Sequence, residues 1–263
     1  MNNQPIGLFD SGIGGTSIWR EVVKLLPNEK TIYLADSKNA PYGAKSEDEI
    51  VALCVKNTEL LLSKGCKLII VACNTATTNA IDYLRKTYKV PFIGIEPAIK
   101  PAALFSKSKA VGILATKGTL SSKLFEKTAK EYTKNITTIE QNGEGLVALI
   151  ESGKLVSLET KTLLEKYLKP MLSFNIDHLV LGCTHYPYLI PQIREIVGDN
   201  VRIIDSGEAV AKQTKAILKK FNIEAVSSEE NNLHQFYINI KKNVLEGMLA
   251  GIPNNYLVEE LKF

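Results

Sequence analysis

Short apolar runs alternate with stretches of helical periodicity along the first 97 residues. The runs "IGLF", "TIYLA", "KLIIVAC" and "PFIGIE" predict strands, and residues 47–64 predict an amphipathic helix between two of them. The runs are continuously apolar rather than alternating, which is typical of parallel strands buried on both faces. The alternation of strand and helix therefore predicts an α/β fold with a mostly parallel sheet flanked by helices.

A second set of elements begins at "AVGILAT" and resembles the first. "IGLF" corresponds to "VGIL", "LIIVACNT" to "HLVLGCTH" and "FIGIEP" to "VRIIDSG", in the same order and at nearly the same offset. Three correspondences in register predict two pseudo-symmetric lobes. The tail after residue 208 has no counterpart in the second set and is expected to return to the first lobe. We therefore assign residues 1–97 and 208–263 to the first lobe and residues 98–207 to the second.

Polar residues follow four of the predicted strands. Because ligands bind outside the carboxyl ends of parallel strands, these residues predict an active site in the cleft between the two lobes. They are Asp10 and Ser11 in "FDSGIGGTS", Cys73, Asn74 and Thr75 in "VACNTATT", Thr116 and Thr119 in "LATKGT", and Cys183, Thr184 and His185 in "LGCTHYP". Two facing lobes would bring the two thiols to opposite walls of the cleft.

The first thiol has two interpretations. A buried Cys that closes a strand is commonly a small core hydrophobe. A thiol beside a helix N-terminus instead has its pKa lowered toward neutrality, which predicts that Cys73 acts as a base. The first N–H groups of that helix, with Asn74 and Thr75, predict a site for a carboxylate. Asp10 is expected to orient or deprotonate Cys73 and to bind an ammonium group.

The second thiol has a histidine beside it. His185 follows Cys183 by two residues on the same predicted strand face and is expected to assist it, the alternative being a packed core imidazole. Two opposed thiols permit stereochemical inversion, because one removes an α-proton and the other returns a proton to the opposite face. This chemistry requires no cofactor if the carboxylate site stabilises the carbanion.

The glycine-rich turn after Asp10 predicts a close approach of the backbone to a ligand. It lacks the last glycine of a dinucleotide-binding fingerprint, and the chain has no P-loop. Nucleotide binding is therefore not predicted.

Composition excludes several other classes. The chain has 263 residues, of which 45% are hydrophobic and 23% charged, and its net charge of +4 comes from positive side chains interleaved with acids, so nucleic-acid binding is not predicted. The N-terminus lacks a secretion signal and no apolar run approaches the ~20 residues of a membrane span, so we expect a cytoplasmic protein with reduced thiols. Cys54 and Cys66 are predicted to be structural, His178 and His234 to be ordinary, and no Cys or His spacing predicts a metal site.

Five motifs resemble the signatures of the bacterial glutamate racemases, in the aspartate/glutamate racemase superfamily. They are "GLFDSGIGG", "APYG", "ACNTAT", "GIEPA" and "GCTHYP", and they keep the family's order from residue 7 to about residue 207. The resemblance implies two α/β lobes, the first completed by the C-terminal segment, and usually a homodimer. It also implies a racemase that uses two thiols and no cofactor to make D-glutamate for peptidoglycan.

The resemblance also implies roles for single residues. It makes Cys73 and Cys183 the catalytic pair, assisted by Asp10 and His185. The substrate contacts that it implies are Asp10, Ser11, Pro41, Tyr42, Gly43, Asn74, Thr75, Thr116, Thr119, Thr184 and His185. Within "NAPYGAKS", the proline and glycine are expected to fix a turn that offers backbone donors to an anionic side chain.

Glu151 in "ALIESG" occupies the position of an assisting Glu in this family. Its neighbours "QNGEGLVALI" match the family poorly. An exposed Glu at a helix end is therefore the alternative.

Three other functions remain open. The thiol pair by itself also fits an aspartate or hydantoin racemase of the same superfamily. A two-lobed protein that binds an amino acid without chemistry would need the cleft but not the thiols. A thiol hydrolase with Cys183 as nucleophile and His185 as base would leave Cys73 without a role.

Overall fold

Two parallel β-sheets organise the chain in the computed structural model, which describes residues 3–225, 233–253 and 255–263. The strands are β1 (Ile6–Asp10), β2 (Thr31–Ala35), β3 (Leu68–Val71), β4 (Phe92–Gly94), β5 (Ala110–Ala115), β6 (Thr137–Asn142), β7 (His178–Gly182), β8 (Arg202–Ile204), β9 (His234–Ile238) and β10 (Tyr256–Glu260). The first sheet has the order β10-β9-β2-β1-β3-β4 and the second has the order β6-β5-β7-β8.

The two sheets repeat one topology. The order β2-β1-β3-β4 in the first sheet recurs as β6-β5-β7-β8 in the second, and each pairing between described strands is parallel. The predicted fold class, two parallel sheets flanked by helices, is confirmed. The strand β6 carries no apolar run and lies at a sheet edge, with each of its residues exposed or half-buried. For that reason the hydrophobic pattern did not identify it.

Helices cover the sheets. They are α1 (Thr16–Leu25), α2 (Glu47–Ser63), α3 (Asn74–Thr87), α4 (Ile99–Phe105), α5 (Lys117–Leu120), α6 (Lys123–Tyr132), α7 (Leu146–Glu151), α8 (Leu158–Leu172), α9 (Ile190–Val197), α10 (Gly207–Lys220) and α11 (Lys242–Leu249). Alternate residues of β1 divide the core of the first sheet. Leu8 packs with residues of α1 and α10 on one face, and Phe9 packs with residues of α2 and α3 on the other.

Within the described ranges, no helix is both long enough and apolar enough to cross a bilayer.

Local sequence explains where two of these helices begin. Ser46 and Glu49 form a capping box at the start of α2, in which the serine side chain accepts from the Glu49 N–H and the glutamate accepts from the Ser46 N–H. Cys73, predicted to end a strand, lies two residues beyond β3 and is the N-cap of α3. Its Sγ accepts from the backbone N–H of Ala76 at 3.4 Å.

The C-terminal segment completes the first sheet. Strand β9 pairs in parallel with β2, and β10 pairs with β9. The ring of Phe236 is fully buried and lies 4.8 Å from the ring of Trp19 and 5.5 Å from that of Tyr33.

The division of the chain into two lobes at residues 97/98 and 207/208 stays a prediction.

Replacing Phe236 with Ala is expected to lower the free energy of unfolding by about 3–5 kcal/mol, because it removes a large side chain that joins the tail to the first sheet. Urea denaturation followed by circular dichroism measures this change. The matched control is Phe221→Ala, since the Phe221 side chain is 52% exposed and its loss should change stability much less. Equal effects in the two variants would contradict this role for the tail.

Candidate active site

The carboxyl ends of the parallel strands meet in a cavity between the two sheets. Asp10 ends β1, Cys73 follows β3, Thr116 follows β5 and Cys183 follows β7. The residues that line the cavity are Ser11, Pro41, Tyr42, Gly43, Cys73, Asn74, Thr75, Thr116, Val147, Cys183, Thr184 and His185. The fold thus brings both thiols to one cavity.

This cavity is closed almost completely. Its volume is about 10 Å³, and a single water needs roughly 10–15 Å³. A second cavity of about 560 Å³ adjoins it and shares Pro41, Gly43, Thr116 and Val147 with its wall. In this conformation the space beside the thiols is too small for an amino acid, so part of its wall has to move to admit one.

Cys73 lies beside an acid. The side chain is 4% exposed, and its S–H donates to the Ser11 hydroxyl at 3.7 Å. Burial raises the pKa of Cys73 well above the ordinary value of a thiol, and the negative charge of Asp10 raises it further. The N–H of Ala76, and the hydroxyl of Ser11 when it turns to donate to the thiolate, lower this pKa without cancelling the increase. The expectation of a thiol pKa near neutrality was wrong, because desolvation outweighs the helix N-terminus.

Asp10 is buried completely at the end of β1 and does not line the cavity. Its Oδ2 accepts from the Gly15 N–H at 2.8 Å, and its Oδ1 accepts from the Thr184 hydroxyl at 3.3 Å. Burial raises the pKa of Asp10 to about 6, against the opposing charge of His185. A carboxyl group with this pKa is mostly ionised at pH 7 and is still suited to proton transfer.

Cys183 is paired with a buried histidine. The Sγ atom lies 3.8 Å from Nδ1 of His185, and Nε2 of that ring lies 2.6 Å from Oε1 of Glu151. Burial by itself lowers the pKa of His185, but its hydrogen bonds to Cys183 and Glu151 raise it well above the usual range. His185 lies beyond β7, at the start of a 3-10 turn, rather than on the strand face that the sequence predicted. The pKa of His185 therefore lies above the value near 6.5 that the sequence suggested.

Glu151 joins the two lobes. Although it ends helix α7, the residue is only 8% exposed, so it is not an exposed Glu at a helix end. Its carboxylate accepts from the N–H of Ile13 at 2.7 Å and from the hydroxyl of Ser37 at 2.8 Å, both in the first lobe. Burial favours the neutral form, but the hydrogen bond and charge of His185, with these two donors, lower the pKa of Glu151.

The glycine-rich turn after β1 makes room for this ion pair. A Cβ atom at Gly12 would overlap the carboxylate of Glu151, and one at Gly14 would overlap the imidazole of His185. The Gly14 N–H lies 3.3 Å from Nε2 of His185, but a protonated nitrogen that donates to Glu151 does not accept from it. These two glycines admit side chains of the opposite lobe, whereas the sequence analysis expected them to approach a ligand.

Polar groups suited to an anion surround the thiols. Nδ2 of Asn74 is buried and has no hydrogen-bond partner among the described residues. The hydroxyl of Thr75 lies 2.7 Å from that of Thr116 and 3.2 Å from that of Thr119, so these hydroxyls connect the lobes at the cavity wall. A buried amide donor without a partner indicates a position for an acceptor such as a carboxylate.

The segment after β2 forms another wall. Pro41 precedes a 3-10 turn formed by Tyr42–Ala44, whose backbone lies at the cavity. The phenol of Tyr42 points elsewhere and donates to Oδ2 of Asp36 at 2.6 Å. Tyr42 can therefore contact a ligand with its backbone, as the turn prediction expected, but its hydroxyl is already bonded.

Most of the predicted site residues line the cavity, and three do not. Asp10 and Glu151 lie outside the lining, and Thr119 is connected to the cavity only through the hydroxyls of Thr75 and Thr116. The sequence analysis missed Val147, which lines the wall, and Ser37. A signal for Ser37 existed, because "TIYLADS" is also a strand followed by polar residues.

Clusters of His, Cys, Asp or Glu that could hold a metal ion were not found in the part of the chain that the structure describes.

A protein family model and a known relative each match most of this chain. The family model for Asp/Glu/hydantoin racemases matches residues 6–214. A glutamate racemase of Herpetosiphon aurantiacus is 47% identical over 218 residues, which covers 83% of this chain and 86% of that protein.

Two solved structures share the fold. A glutamate racemase isoform of Bacillus anthracis has a TM-score of 0.87 at 28% identity and covers 100% of this chain and 99% of that one. The Escherichia coli glutamate racemase, crystallised with L-glutamate, has a TM-score of 0.86 at 31% identity and covers 98% of each chain.

Replacing Asp10 with Asn is expected to lower the pKa of Cys73, because it removes a negative charge that disfavours the thiolate. The pH dependence of iodoacetamide alkylation, followed at each cysteine by peptide mass spectrometry, measures this change. The control is Asp82→Asn, which removes an exposed acid from α3. A pKa for Cys73 that stays unchanged or rises in Asp10→Asn would refute this account of the thiol.

Proposed function

The chain belongs to the Asp/Glu/hydantoin racemase family, and from that premise we propose that it interconverts L-glutamate and D-glutamate with two thiols and no cofactor. The observation that carries this proposal is the pair Cys73 and Cys183, which end equivalent strands of two repeated sheets and line one cavity. Each thiol has its own partner, Asp10 for the first and the His185–Glu151 pair for the second.

The reaction is a double proton transfer. One thiolate takes the α-proton, so the Cα–H bond breaks, an S–H bond forms and the electron pair is delocalised into the α-carboxylate. The opposite thiol then gives its proton to the other face of Cα and becomes a thiolate. Atoms and charge balance, and the reverse reaction exchanges the roles of the two sulfur atoms.

The positive charge of the substrate lowers the pKa of the Cys73 thiol. Cys73 is buried next to an anion and is protonated before the substrate arrives. The ammonium group of an amino acid brings a positive charge into the same site, and an opposite charge nearby favours the thiolate. Asp10, whose pKa is about 6, is suited to accept the thiol proton and to attract the ammonium group.

On the other side, His185 carries the positive charge. In its protonated form the imidazole can donate a hydrogen bond from Nδ1 to Sγ of Cys183, 3.8 Å away, while Glu151 accepts one from Nε2 at 2.6 Å. This pair supports the second thiol both as a base and as a proton donor, because the thiolate is its starting state in one direction and its product in the other.

The remaining contacts hold the two carboxylates of glutamate. We assign the α-carboxylate to Asn74 and Thr75, at the N-terminus of α3, because the amide of Asn74 lacks a partner. The 3-10 turn that follows Pro41 would offer its backbone to the side-chain carboxylate. The other contacts in the assignment are Ser11, Thr116, Thr184 and His185, and Thr119 supports them through the hydroxyls of Thr75 and Thr116.

The alternatives explain less of the site. An aspartate or hydantoin racemase would use the same thiols, but the relative that is 47% identical is named as a glutamate racemase. A binding protein would need neither Asp10 nor Glu151 behind the thiols. A hydrolase that uses Cys183 and His185 gives no role to the equally placed Cys73.

We further propose a cytoplasmic enzyme that supplies D-glutamate for peptidoglycan and works as a homodimer. The sequence motifs support these three statements, since they resemble the family in which these properties are usual. The two lobes, residues 1–97 with 208–263 and residues 98–207, are proposed as the units that separate to admit the substrate.

Cys73→Ser and Cys183→Ser are each expected to lower kcat for racemisation of L-glutamate by at least about 10²–10⁴, because the pKa of a hydroxyl is far higher than that of a thiol, so it is a poorer proton donor and is hardly ever ionised to act as a base. Circular dichroism of the reaction measures racemisation, and calorimetry should show that both variants still bind glutamate. Cys66→Ser, outside the cavity, is the control and should keep its activity. Turnover of L-aspartate instead of L-glutamate, or full activity in either variant, would exclude the proposed function.

Deuterium labelling tests the opposed bases. In D₂O, D-glutamate formed early from L-glutamate is expected to carry deuterium at Cα, while the recovered L-glutamate carries little. The reason is that the base that removes the proton and the acid that returns one are different groups. Mass spectrometry of the separated enantiomers measures this, and heavy label in both pools would indicate a single exchanging base.

A further inference from the structure

Ser37 connects the first lobe to the ion pair behind the second thiol. It begins the 3-10 turn Ser37–Asn39 after β2 and is only 8% exposed. Its hydroxyl donates to Oε2 of Glu151 at 2.8 Å, across 114 positions of the sequence. No other hydrogen bond to that oxygen occurs among the described residues, because His185 and Ile13 both bond to Oε1.

Hydrogen bonds to the carboxylate of Asp36 fix the turn that carries Ser37. That carboxylate is buried completely and accepts from the side chains of Asn39 at 2.8 Å and Tyr42 at 2.6 Å. Asn239, which follows β9, also donates to it, and the Asn239 oxygen accepts from the Lys38 N–H at 2.8 Å. The turn is therefore held by several hydrogen bonds, and Asn239 of the C-terminal segment takes part in two of them.

We propose, on the basis of the proposed function, that Ser37 is a positioning residue for the His185–Glu151 pair. When the lobes close, its hydroxyl satisfies the second oxygen of Glu151 and keeps that carboxylate charged and aimed at the imidazolium. Ser37 does not touch Cys183 or the reacting carbon, and it acts through Glu151. Closure of the cleft then completes the acid–base pair of the second thiol.

The charges around the His185–Glu151 pair determine in which direction loss of the Ser37 hydroxyl shifts the pKa values of the two side chains. The groups that face Glu151 and His185 are Asp10 at the end of β1, Tyr33 in β2 and Cys183 after β7. None of them donates a hydrogen bond to Oε2 of Glu151. Loss of the Ser37 hydroxyl leaves a buried anionic oxygen without its donor, so the carboxylate binds a proton more readily and holds His185 less firmly in its charged form.

Three variants separate this role from a purely structural one. Ser37→Ala removes the donor, and Ser37→Thr keeps a hydroxyl at the same position. Ser106→Ala is the matched control. The Ser106 hydroxyl also donates to a carboxylate that contacts a histidine, since it lies 2.7 Å from Asp177, which bonds to His178. This group lies at the opposite end of β7 from the cavity. The chain has only three histidines, so ¹⁵N-histidine NMR can follow the titration of His185 in the intact protein.

We expect Ser37→Ala to shift the titration of His185 to lower pH by about one unit and to reduce kcat/KM for glutamate about tenfold at pH 8. Ser37→Thr should restore most of both, and Ser106→Ala should change neither. Unchanged His185 titration in Ser37→Ala would overturn the proposal, whether or not activity falls, and so would a Ser37→Thr variant as impaired as Ser37→Ala. The wild-type assay tests the proposed function separately, since the NMR titration does not require turnover.

Discussion

A buried carboxylate at the junction of the two lobes is the constraint on which the closed cleft depends. An ionised group removed from water must find donors within the protein, and Glu151 finds one in its own lobe and two in the other. His185 supplies the first, while the N–H of Ile13 and the hydroxyl of Ser37 supply the others. The lobe that carries the glutamate cannot move away without removing two of its three donors. The geometry of closure and the charge of the imidazole are therefore set by the same contacts.

Glu151 stays ionised although it is buried, whereas burial disfavours the ionised form of the first thiol, Cys73. Burial and a neighbouring anion raise the pKa of Cys73, although a general base must be ionised when it acts. A buried site also strengthens the effect of every charge that enters, so we expect the ammonium group of a substrate to change the pKa of the thiol more than it would in solution. A protonated thiol is also less open to oxidation and alkylation than a thiolate. In the proposed mechanism the thiol therefore becomes reactive when the substrate is bound.

The sequence was sufficient for the architecture and for the residues at the strand ends. Continuous apolar runs marked the buried strands, and their repetition indicated a second sheet with a second cysteine. The polar edge strand β6 has no such run, and the pairing of β9 with β2 depends on tertiary contacts rather than on local pattern. The pKa of Cys73 was predicted in the wrong direction because the helix N-terminus is visible in the sequence and the depth of burial is not. Ser37 was missed because its partner, Glu151, lies on the other lobe.

The repeated sheets give the two thiols equivalent positions but surroundings of opposite charge. An anion, Asp10, stands behind one sulfur, and a cation, His185, stands against the other. L- and D-glutamate have equal free energy, so kcat/KM must be the same in both directions whatever these charges do. The individual kcat and KM values are free to differ, because they depend on which protonation state of the pair each enantiomer meets. The asymmetry of the two partners therefore allows kcat and KM to differ between the enantiomers, while their ratio stays the same for both.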